Sequence, residues 1–188
     1  KLLKEAADKG YKPAQETLER KSKDNSFGEQ KLQEYQNNYK ETGDIRILRT
    51  LASFYVSLKK YDLAEKTYLQ LIELENYQPD YASLAQMYDY KTQNYENAIK
   101  YYKLAIEKIS NKTQKFDARD YWVRIGDMYF LQNNFVEAEK AYKNSMAFKH
   151  PTDGKTYERN MLIEIYKSQG RTEEMKKLEK QNKSWWNN

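Results

Sequence analysis

Residues 122–142 read WVRIGDMYFLQNNFVEAEKAY, and the spacing within this stretch decides the fold. Trp122, Ile125, Gly126 and Tyr129 are followed, after a short polar break, by Ala138 and Tyr142. Upstream, Leu48, Leu51, Ala52, Tyr55, Ala64 and Tyr68 repeat the same intervals. Between these copies lie Tyr81, Leu84, Ala85, Tyr88, Ala98 and Tyr102, where the interval from the fourth to the fifth position is longer by one residue. A degenerate last copy keeps Leu162, Tyr166 and Gly170, with Met175 in place of the small residue. A six-position pattern recurring this faithfully identifies a repeat array.

Each copy reads as two amphipathic helices, apolar at i, i+3, i+4 and i+7, joined by a polar turn. The turns fall at Lys59-Lys60-Tyr61-Asp62, Gln93-Asn94-Tyr95 and Gln132-Asn133-Asn134-Phe135. Small residues at Ala52, Ala85 and Gly126 on the first helix face Ala64, Ala98 and Ala138 on the second, so the two backbones approach closely. Aromatics one turn away fill the groove, each burial contributing roughly 1.5–3 kcal/mol. One helix pair cannot bury its own apolar face, so successive pairs must stack. The spacing predicts an all-α solenoid of stacked helix pairs.

The stretch from Trp122 to Tyr142 resembles the tetratricopeptide repeat, whose pattern is W-x2-L-G-x2-Y…A-x3-F. The resemblance implies an all-α, right-handed superhelical solenoid with four helix pairs over residues 44–182, the fourth weak, and with the extra residues between pairs placed near Ser110–Phe116 and His150–Gly154. Residues 1–43 are similar to a Sel-like repeat: Ala6-Ala7, Gly10, Ala14-Gln15 and Leu18 carry that resemblance. There, helices are expected over residues 13–22 and 28–42, with a hinge at Lys21–Gly28. Residues 183–188 form a tail.

Composition removes whole classes of function. The 188 residues contain no cysteine and a single histidine, His150, so thiol nucleophiles, cysteine-ligated metals and histidine-rich metal sites are excluded. The 33 basic and 28 acidic side chains give a formal net charge of +5. This charge is spread along the chain and lacks the concentrated basic face that neutralises phosphates. No nucleic-acid partner is therefore expected. No apolar run approaches the ~20 residues of a spanning helix. The exposed carboxylate pairs Glu73/Glu75 and Glu173/Glu174 read as solvated faces, and His150 as a helix-end cation. No catalytic residue, metal or cofactor is expected, and the chain reads as a non-enzyme.

The unusual entry in the composition is 18 tyrosines. Tyr55, Tyr68, Tyr88, Tyr102, Tyr129, Tyr142 and Tyr166 are explained by packing between helices. Tyr90, Tyr101, Tyr121 and Tyr157 are not, and amphipathic aromatics are enriched at interfaces.

The tetratricopeptide resemblance implies a concave groove lined by the first helix of each pair. In that register the partner-binding positions are Arg46, Arg49, Ser53, Gln86, Tyr90, Asp120, Arg124, Asp127, Tyr157 and Asn160. The clamp that some members use for acidic chaperone tails corresponds here to Arg49, Ser53, Ser83, Asp120 and Arg124. Only the arginines fit, and Asp120 repels a carboxylate. Trp185 and Trp186 read as a second candidate docking element.

The expected function is a protein–protein interaction scaffold that takes a peptide or partner protein in its groove and helps assemble a larger complex. The combined Sel-like and tetratricopeptide resemblance implies, as an alternative, a bacterial envelope lipoprotein of exopolysaccharide secretion, in the periplasm or at the outer membrane, with a lipid anchor upstream. Charge reversal at Arg49 and Arg124 is expected to weaken partner binding while leaving the fold intact.

Overall fold

The start and stop signals of the helices are written locally. Asp44 caps helix α3 (Ile45–Ser57) by accepting from the Arg46 amide at 2.8 Å. Asn94 and Asn134 do the same for α6 (Tyr95–Glu107) and α8 (Phe135–Met146), accepting from the amides of Asn97 and Glu137. An Asx side chain at this position satisfies an amide that the helix itself cannot. Pro13 and Pro79 lie in the first turns of α2 (Lys12–Thr42) and α5 (Gln78–Met87), where no intrahelical amide bond is lost. The computed structural model describes residues 1–109, 115–148 and 156–185, and all its regular structure there is helical. The remaining helices are α1 (Leu2–Asp8), α4 (Tyr61–Glu75), α7 (Lys115–Leu131), α9 (Thr156–Ser168) and α10 (Thr172–Trp185).

The chain divides into two compact units, Lys1–Glu75 and Asn76–Asn188. In the first, α1 packs on α2, α2 on α3 and α3 on α4. Ala7 and Ala14 are buried across the first turn, Gly10 takes φ +84°, and the Gln15 side chain donates to the Ala7 carbonyl at 3.1 Å. Ala7, Gly10, Ala14 and Gln15 thus hold the turn between α1 and α2. On the far part of α2, Tyr35 meets Phe54 edge-on at 5.7 Å, and Gln36 donates to the Tyr55 hydroxyl at 2.8 Å.

The expected hinge at Lys21–Gly28 is not formed. Helix α2 runs unbroken for 31 residues. The segment is polar but contains no proline, so nothing interrupts its hydrogen-bond ladder. Gly28 is a packing position instead. A Cβ there would stand 3.1 Å from Leu58 Cδ2, so the glycine lets α2 lie close to the end of α3.

In the second unit, α5 packs on α6, α6 on α7, α7 on α8, α8 on α9 and α9 on α10. The small repeat residues Ala85, Ala98 and Ala138 are fully buried, as Ala52 and Ala64 are in the first unit. Gly126 is the tightest contact of the set. A Cβ there would lie 2.6 Å from Tyr142 Cε1, and Tyr142 is itself fully buried.

The hairpin turns share one backbone device. Lys59, Gln93, Asn133 and Gly170 all have positive φ. The amide of the next residue then closes the turn on the carbonyl of the key tyrosine, at 2.8–2.9 Å. Three of these closures span five residues. The fourth, Asn94 to Tyr88, spans six, because Tyr88–Thr92 is a π-helical turn. The one-residue surplus of the second copy is absorbed there, since a π-turn accommodates one extra residue without breaking the helix.

The last hairpin is fastened by Glu139 of α8. It accepts from Arg171 at 2.6 Å, Lys143 at 2.5 Å and the Tyr166 hydroxyl at 2.9 Å, and the Arg171 guanidinium stacks on Tyr166. Burial works to raise the Glu139 carboxyl, but these donors outweigh it and hold it at about 2, against an ordinary 4.5. A depressed carboxylate stabilises the fold above its unfolded pKa and loses that contribution as pH falls toward the folded value. Between about pH 4.5 and 2, the wild type is therefore expected to lose on the order of 1–2 kcal/mol more than Glu139→Gln, the range being kept low because Lys143 is solvent-screened. Urea midpoints across that range check it. Parallel curves for the two proteins would remove Glu139 from the account.

Candidate functional site

The second unit contains an open cleft of about 620 Å³ between the end of α5 with its π-turn, α7 and the start of α9. Five of the residues expected in the groove line it: Gln86, Tyr90, Asp120, Arg124 and Tyr157. A sixth, Asp127, lies beneath them. Asp117, Arg119, Tyr121, Val123 and Tyr102 complete the wall.

Arg124 is the hub. Its Nε and Nη2 donate to both carboxylate oxygens of Asp89 at 2.8–3.0 Å, and its Nη1 donates to Asp127 Oδ2 at 3.0 Å. Planar, bidentate pairing of this kind fixes orientation as well as charge. Above it lies the Tyr90 ring, 4.6 Å from the guanidinium carbon. Burial works against the charged form of Arg124, yet the bonds to Asp89 and Asp127 raise its pKa.

The other oxygen of Asp127 accepts two phenols, Tyr142 at 2.9 Å and Tyr157 at 2.8 Å. Burial and the Asp127 carboxylate push the Tyr157 hydroxyl up to about 12, so it remains a donor at any physiological pH. Tyr102 donates to Asp89 at 3.4 Å and stacks on Tyr121, which accepts from Gln78 at 3.1 Å.

These bonds follow a rule across repeats. In the first and third pairs, the second-helix tyrosine hydroxyl (Tyr68, Tyr142) meets the residue two before the key tyrosine, Ser53 at 3.5 Å and Asp127 at 2.9 Å. In the second pair that place belongs to Gln86, which is exposed. The Tyr102 hydroxyl bonds instead to Asp89, one residue after Tyr88 and inside the π-turn. The extra residue thus brings a buried carboxylate, 4% exposed, to the position that receives Arg124.

The remaining expected positions are placed elsewhere. Arg46 is exposed and bonds to its own cap, Asp44, at 2.6 Å. Arg49 pairs with Glu75, and Ser53 meets the Tyr68 hydroxyl. All three lie in the first unit. Asn160 is exposed on α9. Trp185 ends α10, while Trp186 and His150 lie outside the described residues. So do residues 110–114 and 149–155, where the inter-pair insertions were expected, although Phe116 already belongs to α7.

The expectation that reversing Arg124 would leave the fold intact does not hold, because that change would set two carboxylates against each other in a buried position.

Sequence reading missed Asp89, Asp117 and the ion pair between Arg119 and Glu158. The pair spans α7 and α9 at 2.7 Å, with Glu158 fully buried. A signal for Asp89 was present. It occupies the position of Val56 and Phe130 in the neighbouring copies, beside the one-residue surplus.

A tetratricopeptide-repeat family model matches residues 45–77 and 81–107. These two stretches are tetratricopeptide repeats. The matched repeats cover α3–α4 and α5–α6, and the later hairpins reproduce their turn geometry. No curated protein sequence matches the chain significantly. Among solved structures, the chain is similar to MamA, with a TM-score of 0.61 and 14% identity over 89% of this chain and 96% of that one. It is also similar to BtubC from P. vanneervenii, with a TM-score of 0.57 and 16% identity over 93% of this chain and 76% of that one. At these identities the likeness is one of fold. Tetratricopeptide repeats stack into extended surfaces that bind other proteins.

Proposed function

We propose that this chain is a non-enzymatic protein–protein interaction scaffold that holds a peptide segment of its partner in the cleft of the second unit and so helps assemble a larger complex. In this reading residues 44–182 supply the interaction pairs, residues 1–43 a Sel-like unit and residues 183–188 a tail.

One observation carries the reading. Tyr90 and Tyr157 are 57% and 47% exposed, yet each is fixed by the Arg124–Asp127 network. Exposed aromatics held in place lose little entropy on binding, which is how interfaces gain affinity from few residues.

A displayed random-peptide library selected on the immobilised protein tests it. Selected peptides should bind the double variant Tyr90→Ala/Tyr157→Ala at least tenfold more weakly. They should bind Arg46→Ala, on the other unit, as they bind the wild type. Peptides indifferent to the double variant would place the binding surface elsewhere.

A further inference from the structure

The chemistry of the cleft narrows what it accepts. Its two guanidiniums are already engaged by buried or half-buried carboxylates: Arg124 by Asp89 and Asp127, and Arg119 by Glu158. The carboxylates facing solvent are Asp117 and Asp120, both exposed and set three residues apart on α7, so they share a face. The Asp120 side chain is 71% exposed, and its contact with Arg119 is a long 3.3 Å. Among the described residues, the charged residues of the wall and the ion-pair partners named above are five carboxylates (Asp89, Asp117, Asp120, Asp127, Glu158) and two guanidiniums. This local excess opposes the net +5 of the whole chain.

Much of the remaining wall is aromatic. Tyr90 and Tyr157 expose about half their surface, and Tyr121 lines the same cleft, on α7 with the two carboxylates. Ring faces beside carboxylates attract a cation twice over, through the ring quadrupole and through direct pairing. An acidic side chain would instead meet two solvent-facing carboxylates, with each nearby guanidinium already paired.

Resting on the reading of this cleft as the partner groove, we propose that it takes a lysine or arginine side chain of a basic peptide segment, seated against Tyr90, Tyr121 and Tyr157 and paired with Asp117 and Asp120. Long-range attraction by the acidic patch would add to the encounter rate at low salt and fade as ionic strength rises.

The probes are fluorescein-labelled decamer pools, randomised except for a central residue fixed as Lys, Arg, Glu or Gln, followed by anisotropy at low and moderate salt. The Lys and Arg pools should bind at least tenfold more tightly than the Glu and Gln pools. In Asp117→Asn/Asp120→Asn that preference should shrink to about twofold, with an unchanged melting curve, because both positions are exposed. A Glu pool that binds equally or better, or a preference that survives the double Asn variant, overturns the inference while leaving the groove itself in place. Failure of every pool to bind, or binding unaffected by Tyr90→Ala/Tyr157→Ala, overturns the groove reading and this inference with it.

Discussion

Arg124→Glu is expected to destabilise the second unit by about 3–5 kcal/mol, the usual cost of leaving a buried charge without its partner. Asp89 is 4% exposed and receives three of the Arg124 bonds. The new carboxylate would replace that attraction with repulsion and would also face Asp127. Arg124→Lys keeps the charge but loses the planar fork, so a smaller loss of about 1–2 kcal/mol is expected. Trp122 lies on α7 of the second unit, and residues 1–75 contain no tryptophan. Urea unfolding followed by tryptophan fluorescence therefore reports on that unit. A Glu variant with a wild-type midpoint would mean that Asp89 does not depend on Arg124.

The same residue shows where sequence reading reaches and where it stops. The helix pairs, their turns and the small-residue contacts are legible because close packing admits few residue types at few spacings, and Ala52, Ala85, Gly126, Ala64, Ala98 and Ala138 record those spacings directly. Placement of Arg124 toward a cleft follows from the same register. Its partner does not. Asp89 is brought beneath it by a π-turn, and the surplus residue in the sequence marks that an irregularity exists without saying which backbone form absorbs it. The tyrosines were half legible. Burial explains a ring at Tyr68, Tyr102 and Tyr142, but the choice of tyrosine over phenylalanine comes from hydroxyl bonds to Ser53, Asp89 and Asp127. Those bonds cross from one helix to the next, outside any local window. Continuity of α2 was misread for a different reason. Low amphipathic periodicity over Lys21–Gly28 reflects solvent on most sides of the helix rather than a break in it.

Arg119→Leu tests the other buried pair, and a loss of about 3 kcal/mol is expected at neutral pH, the lower end of the range for a stranded buried charge. Glu158 is fully buried and accepts from Arg119 at 2.7 Å and from the Ser145 hydroxyl at 3.2 Å. A second buried arginine, Arg159, follows it on α9, which argues for the lower end. Adding Glu158→Leu should recover most of the loss, because well-packed apolar replacements of a buried ion pair are often neutral or stabilising. Tryptophan-monitored urea midpoints for wild type, single and double variants at neutral pH decide the matter. A double variant as unstable as the single one would mean that the loss comes from packing around α7 and α9 rather than from an uncompensated carboxylate.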